Sequence, residues 1–560
     1  MAAAAAPTPD RDETTADPDP VWTDLVEWLA RFAGGKGVED SVRLIHNQAG
    51  RGLVARGDQR PGAVMISIPN AALLNLRTLR PLYPAPFAVL NAPQWISLHI
   101  ALQFRRHLRE SATATAAAAA ERDTKGQRTP RGAAIAQDKF WPFLASLPRA
   151  FPTMPLTWSL SAKPAATLQA DFAIPDSDAS LVALRAREGE GQTRDGGEAE
   201  KKQRRLQRDR RRRRYGELLD RVPAAARRKA DEVEKRFATD WHAVRKLWAE
   251  HGNTVDGELT FFDFVLGWQN VNTRCIYFDV DGKRENNLTL CPVIDMINHS
   301  PGRTTKPDPR VSSLTFCAPA PASPDPVLHD GDELAFQYGS HEDAFLLAEY
   351  GFVVGEENVY NAVEVDRFVE ALFEAQGDEG ELKKGVLKDE GYWGDMTLQA
   401  TPPPSPSWRV LVSLRLLHHR LGHGSATKTT ASSLSASALA PWYHVVSGAT
   451  ETLSPVNETK VRASWRALSD AVAREAAAGT RQCDELRERW ENEFKQVGHG
   501  VSAPLAATVA EEDDDDVSSS ADEAASERRD LLASLEMVRT VWTEEERIAR
   551  AVLATPVSTK

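Results

Sequence analysis

The chain has 560 residues, of which 42% are apolar and 26% charged, and it carries a net charge of −12. That length exceeds one ordinary core, so two or more units are expected, and the acidic balance disfavours generic nucleic-acid affinity. Four cysteines without a Cys-x-x-Cys pair support neither a disulfide framework nor a zinc site, and no run of about 18 apolar residues marks a membrane helix.

Residues 1–20, rich in Ala, Pro and acids, read as a disordered start without an export signal. After Pro20, the positions Trp22, Leu25, Val26, Leu29 and Phe32 share one helical face, ending at Gly34-Gly35. Gly50-Arg51-Gly52-Leu53-Val54-Ala55, then Pro61-Gly62 and Ala63 to Pro69, form a hairpin pattern with glycine at its entrance, where backbone can approach a ligand. Residues 95–110 are helical in pattern, and the Ala/Thr run from Ser111 reads as a surface insertion. Trp141 to Trp158 is aromatic and punctuated by proline.

From Arg185 to Arg214 the chain is almost wholly charged, ending in Arg210 to Arg214. A solvated arm is the plainer reading, and nuclear import or RNA contact the sharper one. Thr260 with Asp263 three positions on marks a helix start, followed by an apolar face of Phe261, Phe264, Val265, Trp268 and Val271. This helix ends near Thr273-Arg274.

Two stretches then concentrate polar groups. Leu290 to Ile297 is apolar except for Asp295 and leads into Asn298-His299, while Gly331 to Gly339 is a short amphipathic strand ending on Tyr338. Amide, imidazole and phenol suit the holding of a polar ligand, and no Ser or Cys nucleophile stands beside a base. A helix start follows at Ser340 to Asp343, closed by Gly351, with Phe352-Val353-Val354 as a last short strand. Beyond 357 only helical stripes are read: Val410 to Leu421, Val461 to Val472, Leu486 to Phe494 and Leu531 to Trp542. Low-complexity interruptions fall at 425–440 and 505–530.

Gly50-Arg51-Gly52-Leu53, Gly62, Ile68-Pro69, Thr273-Arg274, Asp295 to His299, Tyr338-Gly339 and Tyr350-Gly351-Phe352, in that order, resemble the signature of SET-domain protein methyltransferases. More closely the chain is similar to the Rubisco large-subunit methyltransferase-like group, which includes ribosomal-protein lysine methyltransferases. The resemblance implies an α+β fold. A mostly-β SET domain in two parts (21–70 and 260–356) is split by a helical insertion (71–259, with disordered loops at 111–135 and 185–214). An all-α substrate-binding domain follows (357–560, with disordered loops at 425–440 and 505–530).

It also implies S-adenosylmethionine as methyl donor and no metal. Gly50, Gly52 and Leu53 would hold the donor's amino-acid part through main-chain groups, and Arg274 would pair with its carboxylate. Asp295, Asn298 and His299 would complete the donor side, with Phe352 against adenine. Tyr338 matches the catalytic tyrosine, which also borders the donor, and Ile276 and Tyr350 would line the acceptor side. The apolar Ile276 stands where the actin-histidine branch has Asn, which favours a lysine stem over imidazole.

The chain departs from the family at Glu342-Asp343, where Ser-Asn is usual. Expected on this resemblance is a monomeric protein-lysine N-methyltransferase of the cytoplasm, the nucleus or both. Its substrate would be a non-histone protein, ribosomal or translation-related. Histidine methylation and an inert SET-fold binding module are the alternatives, and nucleic-acid contact is confined to the Arg-rich arm.

Overall fold

Asp19 accepts hydrogen bonds from the amides of Val21 and Trp22, and Pro20 supplies a preset φ, so the first helix starts where the sequence placed it, at Pro20–Ala30. It buries Trp22, Leu25, Val26 and Leu29. The computed structural model describes residues 19–32, 38–47, 50–122, 138–188, 198–280, 282, 286–302, 307–310, 313–320, 327–421, 436–500 and 515–555. The expectations for residues 1–18, for Gly34-Gly35 and for 123–135, 189–197, 422–435 and 505–514 lie outside these. The fold is α+β and divides into two compact units, Met1–Arg149 with Val244–Gln337 and Ala150–Ala243 with Tyr338–Lys560.

The first unit holds short strands around helices. β1 (Val42–Asn47) pairs antiparallel with β2 (Gly50–Ala55), and Gly52 lies opposite Ile45. β3 (Val64–Pro69) does not form the expected hairpin with β2. It pairs with the later strand Ser313–Cys317, because its buried Met65, Ile66 and Ile68 find a partner face there that includes Leu314 and Phe316. Helix Ala92–Arg122 continues through the Ala/Thr run expected as loop, as alanine's high helix propensity allows.

Thr260 caps the Phe261–Arg274 helix as its spacing predicted: its Oγ1 accepts the Asp263 amide at 3.3 Å and donates to Asp263 Oδ2 at 2.6 Å. This helix crosses Ala92–Arg122 at Gly267, where a Cβ would sit inside contact distance of the Ser97 carbonyl oxygen.

The second unit is mainly helical but not wholly so. Ala362–Glu364, Thr397–Gln399 and Ser405–Pro406 form an antiparallel three-stranded sheet where only helices were expected, its strands being two or three residues each and too short to show alternation. Phe352 to Val354 is not a strand. The long helices Pro455–Gly500 and Asp515–Ala554 lie side by side, so the second begins inside the acidic stretch expected as loop. Trp465, Leu468, Cys483, Leu486, Trp490, Leu531, Leu535 and Val538 are buried between them and their neighbours.

The Arg-rich stretch is helical over Glu198–Leu219, and its end buries Tyr215, Leu218 and Leu219 in the same core as Trp490 and Leu535. Arg213 and Arg214 pair with Glu493, and Arg214 also lies over Phe494 at 4.2 Å. The end of the arm is thus docked: the apolar residues that follow the arginines in helical spacing are buried, while Arg205 to Arg213 are mostly exposed.

Two expectations follow. Gly267→Ala should lower stability by about 1–3 kcal/mol, read as a lower urea midpoint, because helix backbones would have to separate. In the second unit, burial and then Glu475 push the Glu545 carboxyl up to about 8, with Glu364 adding to the effect and Arg367 opposing it. Its neutral form is favoured in the folded chain, so the linked stability is full below its ordinary range and is lost as pH rises through about 8. Glu545→Gln should therefore raise the urea midpoint over wild type by an amount that grows from about pH 5 to pH 8 and then levels.

Candidate functional site

Residues on the first unit form one constellation. The Phe261–Arg274 helix ends by delivering Arg274, whose Nη1 donates to the Asp295 carbonyl at 2.9 Å and to Asp295 Oδ2 at 3.2 Å. Asp295 sits in the single 3₁₀ turn Ile294–Met296, entered through Val293 at φ 68°, a left-handed conformation that a β-branched residue adopts only when its surroundings impose it. The Asp295 side chain is 1% exposed. Burial drives its carboxyl above the usual range, opposed by Arg274 and then Arg51.

Arg51 projects from β2 and donates to the Ser146 carbonyl. Its guanidinium is held below the ordinary value by burial and by Arg274. Two cations thus face one buried carboxylate. Arg274 Nε and Asp295 Oδ1 are both buried without a hydrogen-bond partner among the described residues.

Asn298 and His299 form a two-residue strand that pairs in parallel with Ala335–Phe336, Asn298 opposite Ala335 and His299 opposite Phe336. This pairing brings the end of the Leu290 to Ser300 stretch beside the Gly331 to Gly339 stretch. Asn298 Nδ2 donates to Glu333 Oε1 at 2.7 Å. A Cβ on Gly52 would lie 2.9 Å from both of those atoms, so a side chain there would push the Asn298 and Glu333 ends aside. Gly50 adopts φ +113°, a conformation that favours glycine, at the end of β2 opposite Asn47. Leu53 is fully buried and its carbonyl accepts the Leu334 amide at 2.8 Å. Ile276 is half-buried in a two-residue strand against Thr289.

The remaining predicted residues lie on the second unit and cluster there. The Tyr338 ring is 5.4 Å from that of Tyr350 and 6.4 Å, edge-on, from that of Phe352, and the last two are 6.0 Å apart. Phe352, expected against adenine, therefore packs with the two tyrosines. Burial, then Glu349, pushes the Tyr350 phenol up. Gly339 has no room for a Cβ because the His341 imidazole lies over it, stacked at 4.2 Å on Phe345 and kept toward its neutral form by burial.

Asp343 does more than start a helix. Only 2% exposed, its carboxylate accepts from the amides of Val354 (3.0 Å) and Gly355 (2.8 Å) and from the side chains of Asn358 (2.9 Å) and Asn361 (3.1 Å). Asn361 Oδ1 accepts the Asp343 amide in return, and Asn361 Nδ2 reaches Glu544 at 3.2 Å. The loop after Tyr350-Gly351-Phe352 is thereby fixed by one acid.

No protein-family model matches the chain. Curated relatives do. Over 197 residues it is 29% identical to ribosomal lysine N-methyltransferase set11 of Schizosaccharomyces pombe, covering 35% of this chain and 45% of that protein. It is 28% identical over 227 residues to ribosomal lysine N-methyltransferase 2 of Saccharomyces cerevisiae, covering 36% and 46%. The chain is similar to SET-domain lysine methyltransferases.

SET domain-containing protein 4 of Mus musculus matches at 27% over 285 residues, 49% of this chain and 58% of that one. The chain thus spans about half the length of these SET-domain relatives. A solved structure of Rubisco LSMT bound to sinefungin and monomethyllysine aligns over 96% of this chain and 91% of its own, with a TM-score of 0.49 and 12% identity.

Against the SET signature, sequence reasoning missed Arg51 as a charged member of the donor-side cluster, and it missed Glu333. It noted Asp343 only as a helix residue. Glu333 was visible as the acid preceding an alternating strand, but nothing local showed that it faces Asn298. Asp343→Ala should cost about 3 kcal/mol, measured by urea unfolding, since it leaves the Val354 and Gly355 amides without an acceptor and takes one partner each from Asn358 and Asn361, and Asp343→Asn should cost less.

Proposed function

We propose that the chain is an S-adenosylmethionine-dependent protein-lysine N-methyltransferase acting on a ribosomal or translation-related protein. In this reading residues 21–70 and 260–356 are the two parts of a SET domain, and residues 357–560 supply substrate docking. The observation that carries the proposal is the donor-side constellation: a cationic Arg274 with a buried unpaired Nε, beside Asp295, and the Asn298 and Glu333 side chains drawn against the backbone at Gly52. These groups fit an amino acid carrying a carboxylate and an ammonium.

When bound, the donor supplies an electrophilic methyl on a sulfonium. Arg274 would hold its carboxylate, and Gly50, Gly52, Leu53, Asn298 and His299 its amino end and nucleoside. What the chain itself must do is align an amine and strip it of water and a proton, because a lysine in water has a pKa of about 10.4. Tyr338, with its ring supported by Tyr350 and Phe352, offers a hydroxyl to orient that amine. Ile276 gives an apolar wall for the lysine stem, which supports lysine over histidine.

The relatives named as ribosomal lysine N-methyltransferases support the substrate class. A monomer in the cytoplasm or nucleus completes the proposal. Tyr338→Phe should fold as wild type and lose roughly 100-fold or more of methyl transfer, measured with radiolabelled donor in an extract lacking the protein. A mutant with full activity, or label found on histidine, would overturn the assignment.

A further inference from the structure

Asn298 presents one end of its amide to two acceptors. Nδ2 donates to Glu333 Oε1 at 2.7 Å and to the Arg51 carbonyl at 3.5 Å. The opposite flip would set the amide oxygen against a carboxylate and a carbonyl, so these contacts fix which end is which. The Asn298 Oδ1 is consequently turned away from them and accepts no hydrogen bond among the described residues.

Glu333 is itself held by backbone. It bridges Val54 of β2, and the next residue's amide donates to Leu53. Its carboxylate is exposed and makes no ion pair among the described residues, whereas the nearby Asp295 is matched by Arg274 and Arg51. The geometry therefore leaves the Glu333 carboxylate, with no cation among the described residues, joined to an amide whose own oxygen accepts no bond there, both side chains lying against the backbone at Gly52.

We propose that Glu333 is a specificity-determining residue of the donor site: it fixes the Asn298 amide and, with Asn298 Oδ1, receives the donor's ammonium group. This rests on the methyltransferase reading above. Arg274 would select the carboxylate of the same amino acid, so the two ends of a zwitterion are read by separate groups of opposite sign. A charged acceptor contributes more than a neutral one because N⁺–H···O⁻ bonds are the stronger class.

The test is titration calorimetry with S-adenosylhomocysteine and with its deamino analogue, which keeps the carboxylate and lacks the amine. Glu333→Ala should weaken S-adenosylhomocysteine roughly 10-fold or more and leave the analogue within about twofold, and Glu333→Gln, which keeps an acceptor without the charge, should fall between. Equal affinity of Glu333→Ala and wild type for S-adenosylhomocysteine would overturn the proposal, as would a parallel loss for both ligands. Failure of the wild type to bind S-adenosylhomocysteine would instead overturn the methyltransferase reading itself.

Discussion

The first unit's site depends on a charge that water would otherwise have kept. Burying the Asp295 carboxylate is costly, and the cost is offset only because the end of the Phe261–Arg274 helix brings a guanidinium to it at 3.2 Å while Arg51 adds a second positive charge. The three residues come from a helix end, a strand and a 3₁₀ turn far apart in sequence, so the ion cluster ties those elements into one geometry. Such a cluster adds little net stability against an apolar replacement, but it sets direction. Two cations against one carboxylate leave positive charge in excess, and Asp295 Oδ1 and Arg274 Nε accept and donate no hydrogen bond among the described residues.

A different solution holds the second unit's aromatic group. Asp343 is as buried as Asp295, yet its satisfaction comes from two backbone amides and two Asn side chains rather than from a paired guanidinium. Hydrogen bonds to a carboxylate are directional, so this arrangement fixes the loop following Phe352 in position as well as in energy. Through Asn361 the network reaches Glu544, whose charge is met by Arg547. The last long helix of the chain is thus wired to the segment bearing Tyr350 and Phe352, which explains how distant sequence can steady a tyrosine pair.

Much of this was legible in residues. Helix starts at Pro20 and Thr260 were readable because a cap is local chemistry, and the polar tips of the two central stretches stood out against apolar runs. Gly52 was picked out for close approach to a ligand, and in the structure the side chains of Asn298 and Glu333 lie against it. What could not be read was non-local. The partner of β3 lies about 250 residues downstream. The three-stranded sheet is built from pieces too short to show alternation, and the buried end of the Arg-rich helix is masked by its own charges. Local composition reports solvation, whereas docking depends on what another segment brings.

That last point bears on the Arg-rich helix. A run of five arginines suggests a free polycation, yet Arg213 and Arg214 share Glu493, and Arg211 sits near Glu527 at 3.9 Å and over the Tyr215 ring at 5.8 Å. Glu217, one turn on from Arg213, is held below its usual range by Arg489 and the Trp490 indole, which outweigh the opposing effect of burial. Each of these acids lies in the same unit as the arginines, so Arg211, Arg213 and Arg214, at the end of the run, spend their charges on docking the helix. A segment whose charges are matched this way attracts phosphate weakly, since release of counterions requires cations not already paired.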